Sequence, residues 1–475
     1  MKKNEKIIPR DVNFADWYTS VIKEAHLVQY TDIKGFVIFE PNGWGIWEKM
    51  QNILDPQLKA RGIKNLYMPL LIQISEFEKE KEHVEGFAPE FFTVTKIGTK
   101  ELNEELVIRP TSEIWFCKFF KNSVKSYNDL PIKANQWTSV LRAEKNTRPF
   151  LRSSEFHWHE IHCIFETLKD ADDFSRDILD LYADFCEKDL CIPVIKGKKT
   201  ENEKFAGADT SYTIEAMMQD GQALQSGTSH VLGQNFTKAY DIRFQDKNNT
   251  LQYAYTTSHA VTTRLIGALI MMHSDDNGLV LPYSMADKQI KIFAIFTNKN
   301  QEVLNYAQSI YDKLSKDFRC ELVNSDKGVG YLLSESEVNG TPVNIIIGIN
   351  DMENNTVTYT RRDEDEVKHV VDANDILKEM QNVKVDFTNN LYNKAKKRLD
   401  DNIIEVKDFE EFKKVVSNKQ WAKCYFDGTA TDEATIKELT GATPRCILMD
   451  QVYPDGQCFY TNKKTNRVVI FARAY

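Results

Sequence analysis

Three of the chain's nine histidines fall within six positions, in the stretch PFLRSSEFHWHEIHCIFE at 149–166. Neutral imidazoles are common zinc ligands, and Glu160 lies among His157, His159 and His162. The spacing weighs against a metal. The aromatic-rich stretch reads as a strand over residues 155–160, in which successive side chains take opposite faces. His157 and His159 then share one face; Trp158, Glu160 and, with two more residues of strand, His162 share the other. An HxH pair needs a third ligand from elsewhere, and no cysteine cluster or HExxH helix lies nearby. Two readings remain: a strand with a solvated histidine face and a half-buried aromatic and acidic face, or a pocket lined by Trp158, Glu160 and His162.

A second chemical signal is a lone cation. TTRLIGALIMMH at 262–273 is apolar nearly all round, which suits a buried helix. Burying the Arg264 guanidinium near its start is costly unless it meets an anion or several acceptors. An internal salt bridge and a bound anion are equally open from these residues alone.

The elements that must position these groups are legible in outline. GIWEKMQNILDPQLKAR at 45–61 has helical apolar spacing, with Pro56 expected to kink or split it. NLYMPLLI reads as a buried strand whose Pro69 belongs at an edge or interface. TSYTIEAMM at 210–218 alternates, with Tyr212, Ile214, Ala216 and Met218 facing the core and Ser211, Thr213 and Glu215 lining something polar. From 285 to about 385 strand-like and helical segments alternate, as in a small α/β domain, and LYNKAKKRLDD near 391 reads as a helix at a domain junction.

The bulk numbers set limits. At 475 residues the chain predicts two or three domains. With 42% hydrophobic and 28% charged residues it is neither disordered nor membrane-spanning in composition. The polar N-terminus MKKNEKIIPRDVNF has no signal-peptide pattern, which leads to the expectation of a cytoplasmic protein without membrane partners. Eight cysteines without a CxxC pair read as free thiols. A net charge of -9 argues against a broadly basic surface yet allows a local Lys/Arg stripe for phosphates.

Four blocks then converge: RPTSE (109–113), LRAEKNTRPFLRSSEFHWHE (141–160), KFAGADTSYTIEA with QSGTSHVLGQNF (204–236), and AVTTRLIGALIMMHSDDNGLVLP (260–282). In this order and spacing they resemble the class II prolyl-tRNA synthetases, specifically the archaeal and eukaryotic-like branch, over nearly the whole chain. RGIKNLYMPLL resembles motif 1, with Pro69 at the family's dimer interface; LRAEKNTRPFLRSSEF resembles motif 2; AVTTRLIGAL resembles motif 3, in which Arg264 meets ATP.

The resemblance implies a multidomain fold: a class II catalytic domain on an antiparallel sheet (1–284), an α/β anticodon-binding domain (285–385) and an α+β C-terminal domain (386–475). It implies a homodimer that activates L-proline with ATP and Mg²⁺ and charges tRNA(Pro). Arg142 would contact the α-phosphate and the proline carboxylate, Glu144 and Arg152 the nucleotide, Arg264 the γ-phosphate end, and Gln225 and Thr228 the ribose and adenine side. Thr111, Glu113, Arg142, Trp158, Glu160, His162, Phe205 and His230 would enclose proline. The chemistry agrees: a secondary ammonium suits a carboxylate, a flat ring suits aromatic walls, and fixed guanidinium groups suit charge building on phosphoryl oxygens.

Relatives with WQEGH differ here, where His159 and Ile161 stand in place of Gln and Gly. Fewer than one hundred residues separate His162 from His259, too few for the bacterial-type editing insertion, so mischarging with alanine or cysteine is expected. The family's four-cysteine zinc site looks dismantled, with Asp427, Asp432, Cys458 and Tyr460 at its positions, so bound zinc is not expected. Glu337, Asp351 and Arg361 match positions near anticodon contacts. A threonine enzyme is disfavoured because its zinc ligand set cannot be assembled, and a non-catalytic tRNA-binding paralogue because Arg142, Arg152 and Arg264 are all present.

Overall fold

The computed structural model describes residues 6–78, 90–297, 300–325, 327–365, 367–449 and 451–475. Its main feature is an eleven-stranded sheet. In chain order the first seven strands are β1 (Lys64–Asn65), β2 (Ile132–Leu141), β3 (Glu155–Phe165), β4 (Ile195–Lys198), β5 (Thr210–Met217), β6 (Ala223–Gly233) and β7 (Tyr255–Thr262). A separate five-stranded sheet follows, made of β8 (Ile290–Ala294), β9 (Cys320–Val323), β10 (Val343–Ile347), β11 (Thr356–Arg361) and β12 (Lys368–Asp372). The chain then returns to the large sheet with β13 (Ile403–Glu405), β14 (Trp421–Tyr425), β15 (Thr443–Leu448) and β16 (Val468–Ala472).

The spatial order is β13, β14, β16, β15, β4, β5, β6, β7, β3, β2, β1. Only the outermost pairs, β13 with β14 and β1 with β2, are parallel. Strand β15 pairs antiparallel with β4, so the C-terminal strands continue the sheet of the N-terminal half.

Odd positions of β3 face an apolar layer. Ile161, Cys163 and Phe165 join Tyr212, Ile214, Ala216 and Met218 in one core, covered by two helices, Leu168–Asp184 and Arg264–His273. The expected alternation of 210–218 is thus observed, and Leu265 to Met272 are all buried. The even face of β3 carries Trp158, Glu160 and His162, and a helix at Glu113–Ser123 closes one end of it.

Three expectations need correction. The helix predicted at 45–61 runs from Pro41 to Ala60 without splitting at Pro56. Burial of Leu54 and Leu58 on either side holds both halves on the core and outweighs the hydrogen bond that proline forfeits, worth with its clash about 3 kcal/mol. NLYMPLLI is not one strand: pairing with β2 stops at Asn65 and a separate three-stranded sheet begins at Leu71. Between them side chains satisfy the backbone, Gln136 Oε1 accepting from Met68 N at 2.8 Å and Arg109 Nη1 donating to Met68 O at 2.7 Å. The β3 strand itself is longer than residues 155–160, reaching Phe165, and it pairs without a bulge through Ile161 on both edges.

The smaller sheet orders its strands β9, β8, β10, β11, β12, with β8 parallel to both neighbours, and packs helices Glu302–Leu314 and Ile376–Asp401. The second helix runs on past residue 385 through LYNKAKKRLDD, the stretch read from the sequence as a helix. Among the described residues no helix is long and apolar enough to cross a membrane.

The buried helix at Arg264–His273 is clamped at its C-terminal end. Arg362 pairs through both Nη atoms with Asp275, Arg398 Nη1 donates to Met272 O at 3.2 Å, and Arg10 Nε pairs with Asp276 at 3.1 Å. Near the other end, a Cβ on Gly267 would lie 2.5 Å from Leu151 Cδ2 and 2.9 Å from the Tyr18 hydroxyl. Leu151 is buried and its carbonyl accepts from Arg264 Nε. Gly267→Ala is therefore expected to cost about 1–3 kcal/mol by overpacking, read as a lower midpoint in urea at unchanged slope; an unchanged midpoint would show that Leu151 yields freely.

Candidate active site on the polar face of the sheet

Residues directly opposite one another on adjacent strands share a face, and the register turns that rule into two rows across the sheet. One row runs Ala134, His162, Ser258, His230, Ser211; the next runs Gln136, Glu160, Ala260, Thr228, Thr213. Trp158 lies one step further along β3, between Thr138 and Thr262. The sheet thus assembles a polar floor from five strands.

Glu160 anchors that floor. Its Oε2 accepts from Ser112 N at 3.1 Å, Thr111 Oγ1 at 3.4 Å and His162 Nε2 at 3.1 Å, and its Oε1 accepts from Gln136 Nε2 at 2.7 Å. Burial opposes its ionisation, but the bonds from His162, Ser112 and Gln136 outweigh burial and hold the carboxyl below its ordinary range. The other ring nitrogen of His162, Nδ1, lies 3.2 Å from Glu113 Oε2, and the ring stacks on Phe116 at 4.1 Å. Burial alone would keep His162 neutral, yet Glu113 and Glu160 together raise its pKa to about 9. The cluster is two carboxylates around one imidazolium, leaving one negative charge in a buried site.

His230 behaves in the opposite way. Burial, with Lys199 and His162 adding to it, pushes its pKa down to about 4. Ser211 Oγ accepts from Phe205 N at 3.0 Å and lies 2.8 Å from His230 Nδ1. Phe205 packs against this ring at 5.2 Å.

At the other end of the site the connection between β2 and β3 supplies cations. Arg142 Nε donates to Pro110 O at 3.1 Å, and its guanidinium lies 5.2 Å from the Phe156 ring and 5.4 Å from the Trp158 ring. Burial, reinforced by Arg264, lowers its pKa to about 10 against the pull of Glu160 and Glu144, so it keeps its charge at neutral pH. Arg152 Nε sits 3.8 Å from Glu144 Oε2, a loose pair. Arg264 is pushed down by burial and by Arg152. Three guanidinium groups, with one carboxylate only loosely paired among them, suit an anion with several charges. Gln225 and Thr228 follow on β6, where Ser226 is an extra residue in a bulge that re-aims the strand beside Glu215.

The three histidines of 157–162 thus divide. His162 lies in the site. His159, expected to be structural or solvated, is fully buried on the core face, 3.0 Å from the Asn135 side chain and against Trp137 and Tyr182; burial lowers its pKa to about 3. His157 packs edge-on against Phe39 and Trp44. The solvated-face reading is therefore replaced by a structural one, and Ile161 is simply core.

Other expected positions have local work. Asp351 accepts from Gly348 N at 3.0 Å and Thr358 Oγ1 at 2.6 Å. Arg361 forms a two-pronged pair with buried Asp363 and a second contact to Glu364. Glu337 is half-buried on the Val329–Val338 helix. Asp432 caps the helix at Ala430–Thr440, Asp427 accepts from Thr461 Oγ1 at 2.7 Å, and Cys458 is buried in an apolar cluster. Ser211 lies on the polar-lining face expected of 210–218, whereas Ser112 and Gln136 are additional members of the site. Gln136 is a buried amide on a strand, and that pattern alone was the available signal.

Comparison with known proteins sets the class first. The family described as tRNA synthetase class II core domain (G, H, P, S and T) matches residues 92–273, an anticodon binding domain matches 289–383, and the prolyl-tRNA synthetase C-terminal domain matches 409–475. A protein of Ureaplasma urealyticum named proline–tRNA ligase is 54% identical over 474 residues, covering all of both chains, and one of Mycoplasma mobile is 47% identical over 475 residues at the same coverage. A crystal structure of prolyl-tRNA synthetase from Cryptosporidium parvum, complexed with halofuginone and AMPPNP, superposes with a TM-score of 0.94 at 34% identity over 99% of each chain. The chain belongs to the prolyl-tRNA synthetase family.

The charge state of His162 is directly observable. Its folded pKa lies above the ordinary histidine value of about 6.5, so its contribution to stability is fully present below that value and is lost as pH rises towards 9. Histidine ¹⁵N NMR at pH 7.5 should show an imidazolium assigned to His162 and absent from His162→Gln, together with neutral His230 and His159; a neutral His162 would contradict the cluster.

Proposed function

We infer that this chain is a ligase that activates L-proline with ATP and transfers it to tRNA(Pro). The carrying observation is the buried Glu113–His162–Glu160 cluster, one negative charge beside aromatic Trp158 and Phe205, next to the cations Arg142, Arg152 and Arg264. A proline zwitterion matches this polarity, with its ammonium at Glu113 and Thr111 and its carboxylate at Arg142. Neutral His230 lines the far wall.

In the first step a proline carboxylate oxygen attacks the α-phosphorus of ATP, the bond to the bridging oxygen breaks, and pyrophosphate leaves with that electron pair. No general base is needed, because the nucleophile is already ionised. Arg142 bridges carboxylate and α-phosphate, Arg152 and Glu144 hold the nucleotide, Arg264 holds the γ-phosphate end, and Gln225 and Thr228 face the ribose and adenine side. Mg²⁺ is characteristically held by substrate phosphates plus one or two carboxylates and would neutralise phosphate charge there; Glu144 is the carboxylate at that end. In the second step a 3′-terminal hydroxyl of tRNA attacks the prolyl carbonyl and AMP departs.

The division into a catalytic unit (1–284), an anticodon-binding unit (285–385) and a C-terminal unit (386–475) completes the reading. Glu337 faces the anticodon, with Asp351 and Arg361 shaping the surface through the contacts described above. Pro69, together with Tyr67 and Leu70, forms an exposed apolar strip that supports a homodimer.

Proline-dependent exchange of labelled pyrophosphate into ATP tests the activation step. Arg142→Ala should lower it by about 10²–10³-fold, and exchange unaffected by that change would remove Arg142 from the mechanism. Alanine should also be activated and reach tRNA(Pro), because a missing methylene is worth only about 1–3 kcal/mol; rapid deacylation of Ala-tRNA(Pro) by the same protein would refute the absence of editing. Elemental analysis of purified protein should find no stoichiometric zinc, since Asp432 is engaged as a helix cap and Cys458 is the one thiol at the four positions; one zinc per chain would overturn that reading.

A further inference from the structure

Beneath the nucleotide end of the site lies a second buried charge cluster. Glu215, fully buried on β5, accepts from Lys199 Nζ at 2.9 Å and Thr213 Oγ1 at 2.9 Å on Oε1. On Oε2 it accepts from both Nε and Nη2 of Arg445, each at 3.1 Å. Arg445 belongs to β15 in the C-terminal unit, 230 positions away in sequence. Its backbone carbonyl also accepts from Lys199 Nζ at 2.9 Å, and its Nη1 donates to Thr443 Oγ1 at 2.9 Å. The register of β15 against β4 brings it there.

Glu215 is also the cross-strand partner of Gln225, at the bulge where β6 shifts register. Its charge reaches Arg264, raising that guanidinium's pKa, while Arg445 acts on Arg264 in the opposite sense. With Lys199 as its only cation, Glu215 would keep one oxygen unpaired in a buried site, and the neighbouring cation that its charge reaches is Arg264. A buried carboxylate seeks such a partner strongly.

We propose that Arg445 is a positioning residue for nucleotide binding: by occupying Glu215 it fixes the β5–β6 bulge that carries Gln225 and keeps Arg264 available to the triphosphate. The proposal rests on the reading of this site as an ATP site. The side-chain bonds of Arg445 go to Glu215 and Thr443, and its effect should fall mainly on the nucleotide half, where Gln225 pairs with Glu215.

The test is proline-dependent pyrophosphate exchange in the full-length chain, with KM for ATP and for proline measured separately in wild type, Arg445→Met and Arg445→Lys. In R445M the KM for ATP should rise about tenfold while that for proline stays within about twofold, and R445K should recover to about threefold above wild type for ATP. Equal rises in both KM values, or a lower melting temperature with both KM values unchanged, would overturn the proposal and leave Arg445 a structural residue. If R445M does not fold, R445K decides alone: a rise in ATP KM only supports the proposal, and no rise overturns it. Absence of exchange in wild type would overturn the underlying ATP reading and the proposal with it, whereas wild-type exchange with an unchanged ATP KM in both variants overturns the proposal alone.

Discussion

The bond between Glu160 and His162 is the contact on which the site depends. Leaving a carboxylate this deeply buried without partners would be prohibitive, and Glu160 escapes by drawing four donors from three segments: Ser112 N and Thr111 before the helix at Glu113–Ser123, Gln136 from β2, and His162 on its own strand. The bonds that pay for burying Glu160 also fix His162, which in turn holds Glu113 at the mouth of that helix. Substrate-binding geometry and fold stability are here the same set of hydrogen bonds. Loss of any member would disturb both.

Around this centre the molecule separates its tasks by sheet face. One face of β3, β5 and β6 is closed by the apolar sides of two helices. The other collects anionic character at one end and guanidinium groups at the other, a polarity that matches an amino acid lying against a nucleotide. The buried helix bearing Arg264 ties the two levels together, since its far end is clamped by Arg362 of the middle unit and Arg398 of the long connecting helix. The C-terminal strands extend the same sheet and bring Arg445 to Glu215.

Much of this was legible in the sequence, and the reasons differ by element. Period-two alternation places Trp158, Glu160 and His162 together, because a strand leaves the side chains no other choice. The all-round apolar helix likewise marked Arg264 as exceptional. What could not be read was long-range pairing. Nothing in NLYMPLLI reveals that Gln136 and Arg109 would satisfy its backbone in place of a neighbouring strand, and nothing local to Arg445 points to Glu215. His159 misled for a related reason: its polarity suggested water, while the Asn135 amide lets a neutral imidazole sit in the core. Periodicity reports which face a residue takes, and only the register reports whom it meets.

The central claim is that one net negative charge in a buried cluster selects the ring ammonium. Isothermal titration of the full-length protein with L-proline and with tetrahydrofuran-2-carboxylic acid, which keeps the ring and carboxylate but replaces the ammonium with an ether oxygen, tests it directly. Binding of proline with the ether analogue about a hundredfold or more weaker is the predicted result, in keeping with sites that hydrogen-bond a substrate NH and reject analogues lacking it. Equal affinity for the two would show that ring shape and Arg142 alone define the pocket, and would contradict the account.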